Sequence, residues 1–510
     1  MMIARLALCA LLAGFVSARA EDAPARGKAT HVVLVVWDGM RSDFMTEKNS
    51  PNLWALAQRG LTFRNHHSVY PTLTTVNAAA LATGVFPGSS GPIGNYEYLP
   101  GISRTKPART DGIDMVRAID QRSGGKFLAV PTIAELVHAS GGTTAIAGTK
   151  SAPLLFDRKT DARDGNSVTL VEGIALPKSA QRKFEDTLGR YPKTKKLPSV
   201  TQDKWSTRAL TEVLWKEGVP EFSVLWMGDP DRSEHADSPG SAKALAAIKS
   251  VDDNLARVLK ALEEKGVRDQ SDVLVVSDHG FSTIARQINL ESLLAADDFR
   301  VVKKGKNAKT SGAIRVIGNG GSVLFYIKDH DAKTNARLVQ WLQKKDFTGV
   351  IFSRAAVEGS FPLARVHLEK MEGPDVVMAF RWSDQRSSNG TAGMIDANGS
   401  SKAKGTHGTL SPFDVHNILI AAGPDFRAGT QSDLPSSNLD VAASIVHLLG
   451  LHTENLLDGR ILSEAFSDGE PSTSQTLEEA TSGKWRQYLR ISKVGATEYI
   501  DEGSGSALSD

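Results

Sequence analysis

Strand-length apolar runs that end in an acid or a histidine constrain the fold of this chain more than any other feature. His31-Val32-Val33-Leu34-Val35-Val36-Trp37 lacks the polar alternation of a half-exposed strand and suits one covered on both faces of a parallel sheet. Asp38-Gly39 follows at once. Residues 222–227 form a second such run shortly before Asp231, and 273–276 form a third that ends in Ser277-Asp278-His279-Gly280. Residues 61–68, 143–148 and 417–422 read as further strands. Helix signals lie between them. Ser50-Pro51 opens one that Gly60 closes, and 132–139, 202–217 and 439–449 supply others. The longest, 242–265, carries Ala, Ile, Val and Leu at spacings of three and four. This alternation predicts an α/β fold, doubly wound, with a mostly parallel central sheet flanked by helices. Such sheets bind ligands outside the C-terminal ends of their strands, where the acids and histidines collect.

Three stretches break the pattern and read as cap insertions into a domain spanning 21–465. Residues 96–130 are rich in Gly, Pro, Arg and Asp without periodicity, and 157–200 are irregular and rich in Lys, Arg and Pro. Residues 285–400 mix a helix at 332–343 with scattered strands and a Ser/Gly/Asn-rich loop at 387–401. Residues 466–510 read as a C-terminal extension whose acidic, Gly/Ser-rich end after Tyr499 is expected to be disordered.

Residues 1–20 read as a signal peptide: Arg5, the apolar run 6–16, then Ala18-Arg19-Ala20 as a small-x-small cleavage site. That run is too short to span a bilayer, so no stable membrane insertion is expected after cleavage. Cys9, the only cysteine, lies within it. A secreted chain free of disulfides suits a bacterial periplasm. Cleavage removes Arg5 and Arg19 from 60 basic residues and none of the 58 acids, so the charge balances. With no basic excess, nucleic acid is not an expected partner. The oligomeric state stays open.

One turn gathers these strand ends into a chemistry. Val69-Tyr70-Pro71-Thr72-Leu73-Thr74 leads into the Ala-rich helical run 75–83, closed by Gly84, which puts hydroxyls at a helix N-terminus where a developing anion is stabilised. A threonine hydroxyl is a poor nucleophile at neutral pH unless a base or a metal activates it. Four segments offer metal ligands: Asp38; Asp231 and His235 in Asp231-Arg232-Ser233-Glu234-His235; Asp278-His279; and His407 between Thr406 and Gly408. Three aspartates and three histidines without cysteine form an O/N donor set suited to catalytic zinc, and six ligands suffice for two ions. Manganese or iron would satisfy the same donors. The other histidines, His66, His67, His138, His330, His367, His416, His447 and His452, are read as structural or surface residues.

Together these segments resemble the alkaline phosphatase superfamily, most closely its nucleotide pyrophosphatase/phosphodiesterase branch. The resemblance covers most of 31–450 and is carried by the motif segments. It implies an alkaline-phosphatase-like catalytic domain and a threonine nucleophile in Pro-Thr-x-Thr, which falls on Thr74. An asparagine about twenty residues later, which binds the transferred phosphoryl group, falls on Asn95. One zinc would be held by Asp231, His235 and His407, the other by Asp38, Asp278 and His279, with Thr74 as its exchangeable ligand. The expected activity is hydrolysis of a small phosphate diester or pyrophosphate through a covalent phosphothreonine.

Two departures qualify the substrate. Nucleotide-cleaving members commonly follow the nucleophile with a base-stacking Phe, where this chain has Thr75. Related phosphomonoesterases and phosphonate hydrolases place lysine or arginine near the phosphate, a position that Lys150 in Gly148-Thr149-Lys150-Ser151 resembles; Arg158 and Lys159 are further candidates. A phosphomonoesterase or phosphonate hydrolase is therefore the alternative activity. A non-catalytic metal-binding envelope protein is the alternative of another class.

Overall fold

Seven uninterrupted apolar and aromatic positions make β1 (His31–Trp37), with Val32 to Trp37 wholly removed from solvent. In this computed structural model, which describes residues 26–158, 167–399, 402–467 and 471–507, β1 lies near the middle of the largest sheet. The leader read over 1–20, and Lys159, fall outside the described residues.

After β1 come α1 (Pro51–Arg59), β2 (Leu61–His67), α2 (Thr74–Thr83), β3 (Thr144–Gly148), β4 (Val168–Val171), β5 (Ile174–Leu176), β6 (Phe222–Met227), α3 (Asp231–Asp237), α4 (Ala242–Glu264) and β7 (Ser271–Val276). Cap strands β8 (Ile314–Asn319), β9 (Ser322–Ile327), β10 (Thr348–Ser353), β11 (Val376–Phe380) and β12 (Ala392–Asn398) precede β13 (His416–Ala422) and α5 (Asn438–Leu448). The chain continues through β14 (Thr473–Ser482), β15 (Trp485–Val494) and β16 (Thr497–Ala507).

The central sheet runs Thr430–Ser432, β2, β13, β7, β1, β6, β3, β4, β5. β7, β1, β6, β3 and β4 are mutually parallel, while β13 is antiparallel to both β7 and β2 and β5 is antiparallel to β4. Alternate residues of β1 feed two cores. Val32, Leu34 and Val36 pack with Ala78, Ala79, Leu81 and Ala82 of α2 and with Val441 and Ile445 of α5. Val33, Val35 and Trp37 pack with Leu53 and Leu56 of α1 and with Ile248, Val251 and Leu255 of α4 on the opposite face. The period of two along the strand thus puts helices on both sides of the sheet. The short side chains of α2, every residue of which is buried, let this helix lie close against the sheet with Thr74 at its first position.

The structure corrects four expectations. The described part of the 157–200 stretch is not a cap: β4 and β5 extend the edge of the central sheet, and the helix Gln181–Leu188 that follows buries only Phe184. The 96–130 stretch contains the helix Ile113–Ser123, which buries only Val116 and Ile119, too sparse a stripe to read in sequence. Within the 387–401 loop lies β12, which pairs in parallel with Ser282–Ile288 through buried Ile395 and Ala397. Residues 497–507 are ordered rather than disordered, because β16 pairs with β15 along its whole length. Its glycines serve close packing: a Cβ on Gly503 would stand 2.8 Å from Leu489, and one on Gly505 would stand 2.7 Å from Trp485.

The five-stranded cap sheet contains β8, β9, β11 and β10 in that order, with Phe361–Pro362 at its far edge. Asp501 of β16 reaches back to the central sheet, accepting from His67 Nε2 at 2.9 Å. The other ring nitrogen of His67 donates to the Ser436 carbonyl at 2.9 Å. His67, His416 and Asp501 bring ligand-type atoms within 4.8 Å of one another, but with both His67 nitrogens engaged the cluster is a hydrogen-bonded tie between sheets.

Candidate metal centre and nucleophile

The site forms where β1, β6 and β7 end. Asp38 follows β1, Asp278 and His279 follow β7, and Asp231 and His235 stand one turn apart on α3 after β6. His407 arrives on the loop between the cap and β13. Asp38, Asp278 and His279 are fully buried and Asp231 and His407 nearly so. The ligand atoms of Asp38, Asp278 and His279 lie within 4.8 Å of one another, as do those of Asp231, His279 and His407. His235 joins through Asp231, its Nε2 standing 3.3 Å from Oδ1.

All three imidazoles are oriented alike. Nδ1 of His235 faces the Gly405 carbonyl at 3.0 Å, that of His279 the Gly280 carbonyl at 2.8 Å, and that of His407 the Thr72 carbonyl at 2.7 Å. A carbonyl only accepts, so each Nδ1 carries the proton and each Nε2 is left with its lone pair toward the aspartates. That arrangement suits neutral histidines as metal ligands, their outer hydrogen bonds fixing tautomer and ring direction.

The carboxylates call for cations. Three buried aspartates share one ammonium, that of Lys150, which stands 2.6 Å from Asp231 and 2.8 Å from Asp38. Asp231 Oδ1 and Asp278 Oδ2 are buried without a hydrogen-bond partner. Burial, and then the charge of Asp278, pushes the Asp38 carboxyl up despite Lys150. Burial likewise raises Asp278, again against Lys150. Burial opposes the charged form of Asp231 as well, but the Lys150 ammonium, foremost among its neighbours, holds this carboxyl well below the usual range. The Lys150 ammonium is held above its ordinary value because Asp231, Asp38 and Asp278 outweigh its desolvation. One lysine cannot balance three buried carboxylates, and the unpaired oxygens and inward Nε2 atoms form a donor set that divalent cations fit.

Thr74 Oγ1 lies 3.2 Å from His279 Nε2, at the edge of this cluster. The turn that carries it is clasped by Asn77, which accepts from Val69 N at 2.7 Å and donates to the carbonyls of Val69 and Leu73. Asn95 Oδ1 accepts the Thr75 backbone N–H at 2.9 Å, beside the first turn of α2. Nine of the residues singled out in sequence therefore gather in one place. Arg158 does not join them; its guanidinium is bound to Asp120 at 3.0 Å, with Glu135 at 3.8 Å.

Several supporting residues carry no sequence signal. Trp226, inside an apolar strand, donates its indole N–H to Asp38 Oδ2 at 2.7 Å. Asn438, at the start of α5, donates to the Asp278 carbonyl and to Asn77 Oδ1, both at 2.9 Å. Thr72 takes the Gly408 N–H on its hydroxyl at 3.0 Å. Each is found only through the tertiary contact it makes.

A large, mostly parallel sheet carrying such a centre at its strand ends defines an alkaline-phosphatase-like α/β protein. Residues 32–408 match the type I phosphodiesterase / nucleotide pyrophosphatase family, and the chain belongs to that family. It is 20% identical over 446 residues to human bis(5'-adenosyl)-triphosphatase ENPP4, an alignment covering 86% of this chain and 82% of the relative. It is 21% identical over 260 residues to mouse ectonucleotide pyrophosphatase/phosphodiesterase family member 3, covering 49% of this chain and only 24% of that much longer protein. Among solved structures, murine ectonucleotide pyrophosphatase/phosphodiesterase 5 superposes with a TM-score of 0.60 at 17% identity, covering 86% of this chain and all of the other. An inactive variant of the same murine protein, in complex with AMP, gives 0.58, covering 83% of this chain and 95% of that one. No helix among the described residues is long and apolar enough to cross a membrane.

Proposed function

We propose that this protein hydrolyses phosphate diesters or pyrophosphates at a two-metal centre, with Thr74 as the nucleophile and a covalent phosphothreonine as the intermediate. The observation that carries the reading is the placement of the Thr74 hydroxyl at a helix N-terminus, 3.2 Å from His279 within the aspartate and histidine cluster.

Asp231, His235 and His407 would hold one ion and Asp38, Asp278 and His279 the other, with zinc favoured by the O/N donor set. Such ions supply Lewis acidity that lowers the pKa of a hydroxyl and offsets charge developing on the attacking and leaving oxygens. The Thr74 oxygen forms its bond to phosphorus as the leaving-group oxygen departs. Water then attacks the same phosphorus, the bond to Thr74 breaks and its oxygen regains a proton, and a diester substrate leaves as the monoester that keeps its second ester group. Asn95, its Oδ1 held by the Thr75 N–H at 2.9 Å, would offer its Nδ2 as a donor to a non-bridging oxygen. Trp226 and the histidine-to-carbonyl bonds keep the ligands aimed.

The substrate is read as a small phosphate ester. The curated relatives are named for nucleotide cleavage, but Thr75, fully buried after the nucleophile, offers no stacking surface for a base. Lys150 within the carboxylate cluster favours the second reading, a phosphomonoesterase or phosphonate hydrolase in which the ammonium meets an extra negative charge. The leader read over 1–20 and the cysteine-free remainder support export to a bacterial periplasm.

The test is turnover of bis-p-nitrophenyl phosphate beside p-nitrophenyl phosphate by the zinc-loaded protein, with an EDTA control and an acid quench with peptide mass analysis to trap Thr74 esterified to p-nitrophenyl phosphate from the diester, or to phosphate from the monoester. Metal-dependent diester preference with the trapped adduct on Thr74 is the expected result. Monoester preference moves the assignment to the second reading, and no metal-dependent turnover of either removes both.

A further inference from the structure

Asn319 ends β8 inside the cap, distant in sequence from every site residue, yet it is only 4% exposed and bonded to the segment that carries Asn95. Its side-chain amide pairs with a single backbone unit: Tyr96 N–H donates to Oδ1 at 2.8 Å, and Nδ2 donates to the Tyr96 carbonyl at 3.0 Å. The pair fixes the amide's direction, since turning it over would set donor against donor and acceptor against acceptor. Asn95 is thereby held from several sides. Its neighbour Tyr96 is clamped by Asn319, its own carbonyl accepts from Thr110 N at 3.0 Å, and its side chain meets the Thr75 amide at 2.9 Å.

The next residues reach the other half of the site. Gly320, at φ +65°, turns the chain so that Gly321 N donates to the His407 carbonyl at 2.8 Å. A Cβ on Gly320 would stand 3.0 Å from that carbonyl and closer still to the Thr406 hydroxyl. The Ser322 hydroxyl donates to the Gly408 carbonyl and meets Tyr70 Oη at 2.9 Å. One tight turn of the cap therefore touches the segments that carry Asn95, His407 and the nucleophile's turn.

We propose that Asn319 is a positioning residue for phosphoryl transfer, acting through Asn95 by fixing the Tyr96 backbone. This rests on the reading of Asn95 as a donor to the transferred phosphoryl group. A donor aimed at charge that grows in the transition state works only when held in place, and a displacement of about 1 Å can cost on the order of a hundredfold in rate. Loss of the clamp should then act on kcat more than on KM.

The test is a double-mutant cycle on the zinc-loaded enzyme with bis-p-nitrophenyl phosphate, using Asn95→Ala, Asn319→Ala and the double variant. Metal content, thermal unfolding and hydrogen exchange at the Tyr96 amide are measured alongside. The expected result is a kcat loss of roughly ten- to a hundredfold for Asn319→Ala that largely vanishes in the Asn95→Ala background, with metal content unchanged and faster exchange at Tyr96. Asn319→Asp, which keeps the acceptor for Tyr96 N–H and loses the donor, should fall between, and it carries the same cycle if the alanine variant does not fold. Losses that multiply independently, or wild-type kcat in both Asn319 variants, overturn the proposal while leaving Asn95 in its role. Wild-type turnover by Asn95→Ala alone removes the Asn95 reading and the Asn319 proposal together.

Discussion

Thr74 Oγ1 stands 3.2 Å from His279 Nε2, so the hydroxyl at the start of α2 and the histidine that follows β7 share one small volume. Because Nδ1 of His279 is engaged by the Gly280 carbonyl, the nitrogen facing the hydroxyl is the one with a lone pair to share with a cation.

Thr74→Ala should abolish turnover, by on the order of 10³-fold or more, while metal content stays near that of the wild type. Elemental analysis beside a steady-state assay checks both halves. An active Thr74→Ala protein ends the nucleophile assignment.

Metal removal should destabilise the fold as well as stop the reaction, because Asp38, Asp231 and Asp278 would then share Lys150 as their counter-charge. An ion present at a hundred times its Kd contributes about 2.7 kcal/mol through binding to the native state. Thermal unfolding across a zinc titration after chelation should show a midpoint that climbs with free zinc; a flat response contradicts a structural share for the ions.

Lys150→Met should strengthen zinc binding and weaken the metal-free protein, since the ammonium and an ion compete for the same carboxylates. Competition with a chromophoric chelator measures the first effect and a melting curve the second. If the lysine also meets the substrate, monoester turnover falls more than diester turnover; equal losses confine it to the carboxylates.

His66 supplies a pH signature away from the proposed metal ligands. It is fully buried between Ser436 and Asn438, and desolvation, with His67 and His416 nearby, pushes its pKa down to about 3. Between that value and an unfolded pKa near 6.5 the unfolded chain binds the extra proton, so stability should fall as the pH drops through this window. The slope is about 1.4 kcal/mol per pH unit for one such proton. Urea midpoints from pH 7 to pH 4 should decline less steeply in His66→Gln than in the wild type.

The parts of the site legible in sequence sit directly after buried strands or at a helix start. Asp38 and Asp278-His279 follow apolar runs, and Thr74 precedes an Ala-rich helix, so local pattern and position at the sheet edge pointed the same way. What escaped reading depends on contacts across long stretches of chain. Trp226 looks like core until its indole is seen on Asp38, and Asn319 looks like a turn residue until its amide is seen on Tyr96. The end of the chain misled for a related reason, because Gly503 and Gly505 carry the composition of a loose tail and the packing of a buried strand.

The bond between His67 and Asp501 joins residues 434 apart. A ribosome that has delivered every proposed site residue, His407 included, has not yet delivered the acid that anchors β2 or the strand that packs its glycines against the cap. Contacts of such separation close slowly, because the intervening loop must first be gathered. Completion of this fold therefore waits on residues beyond 470, and a chain stalled or clipped there would carry all nine proposed site residues without the strand that locks the cap to the central sheet.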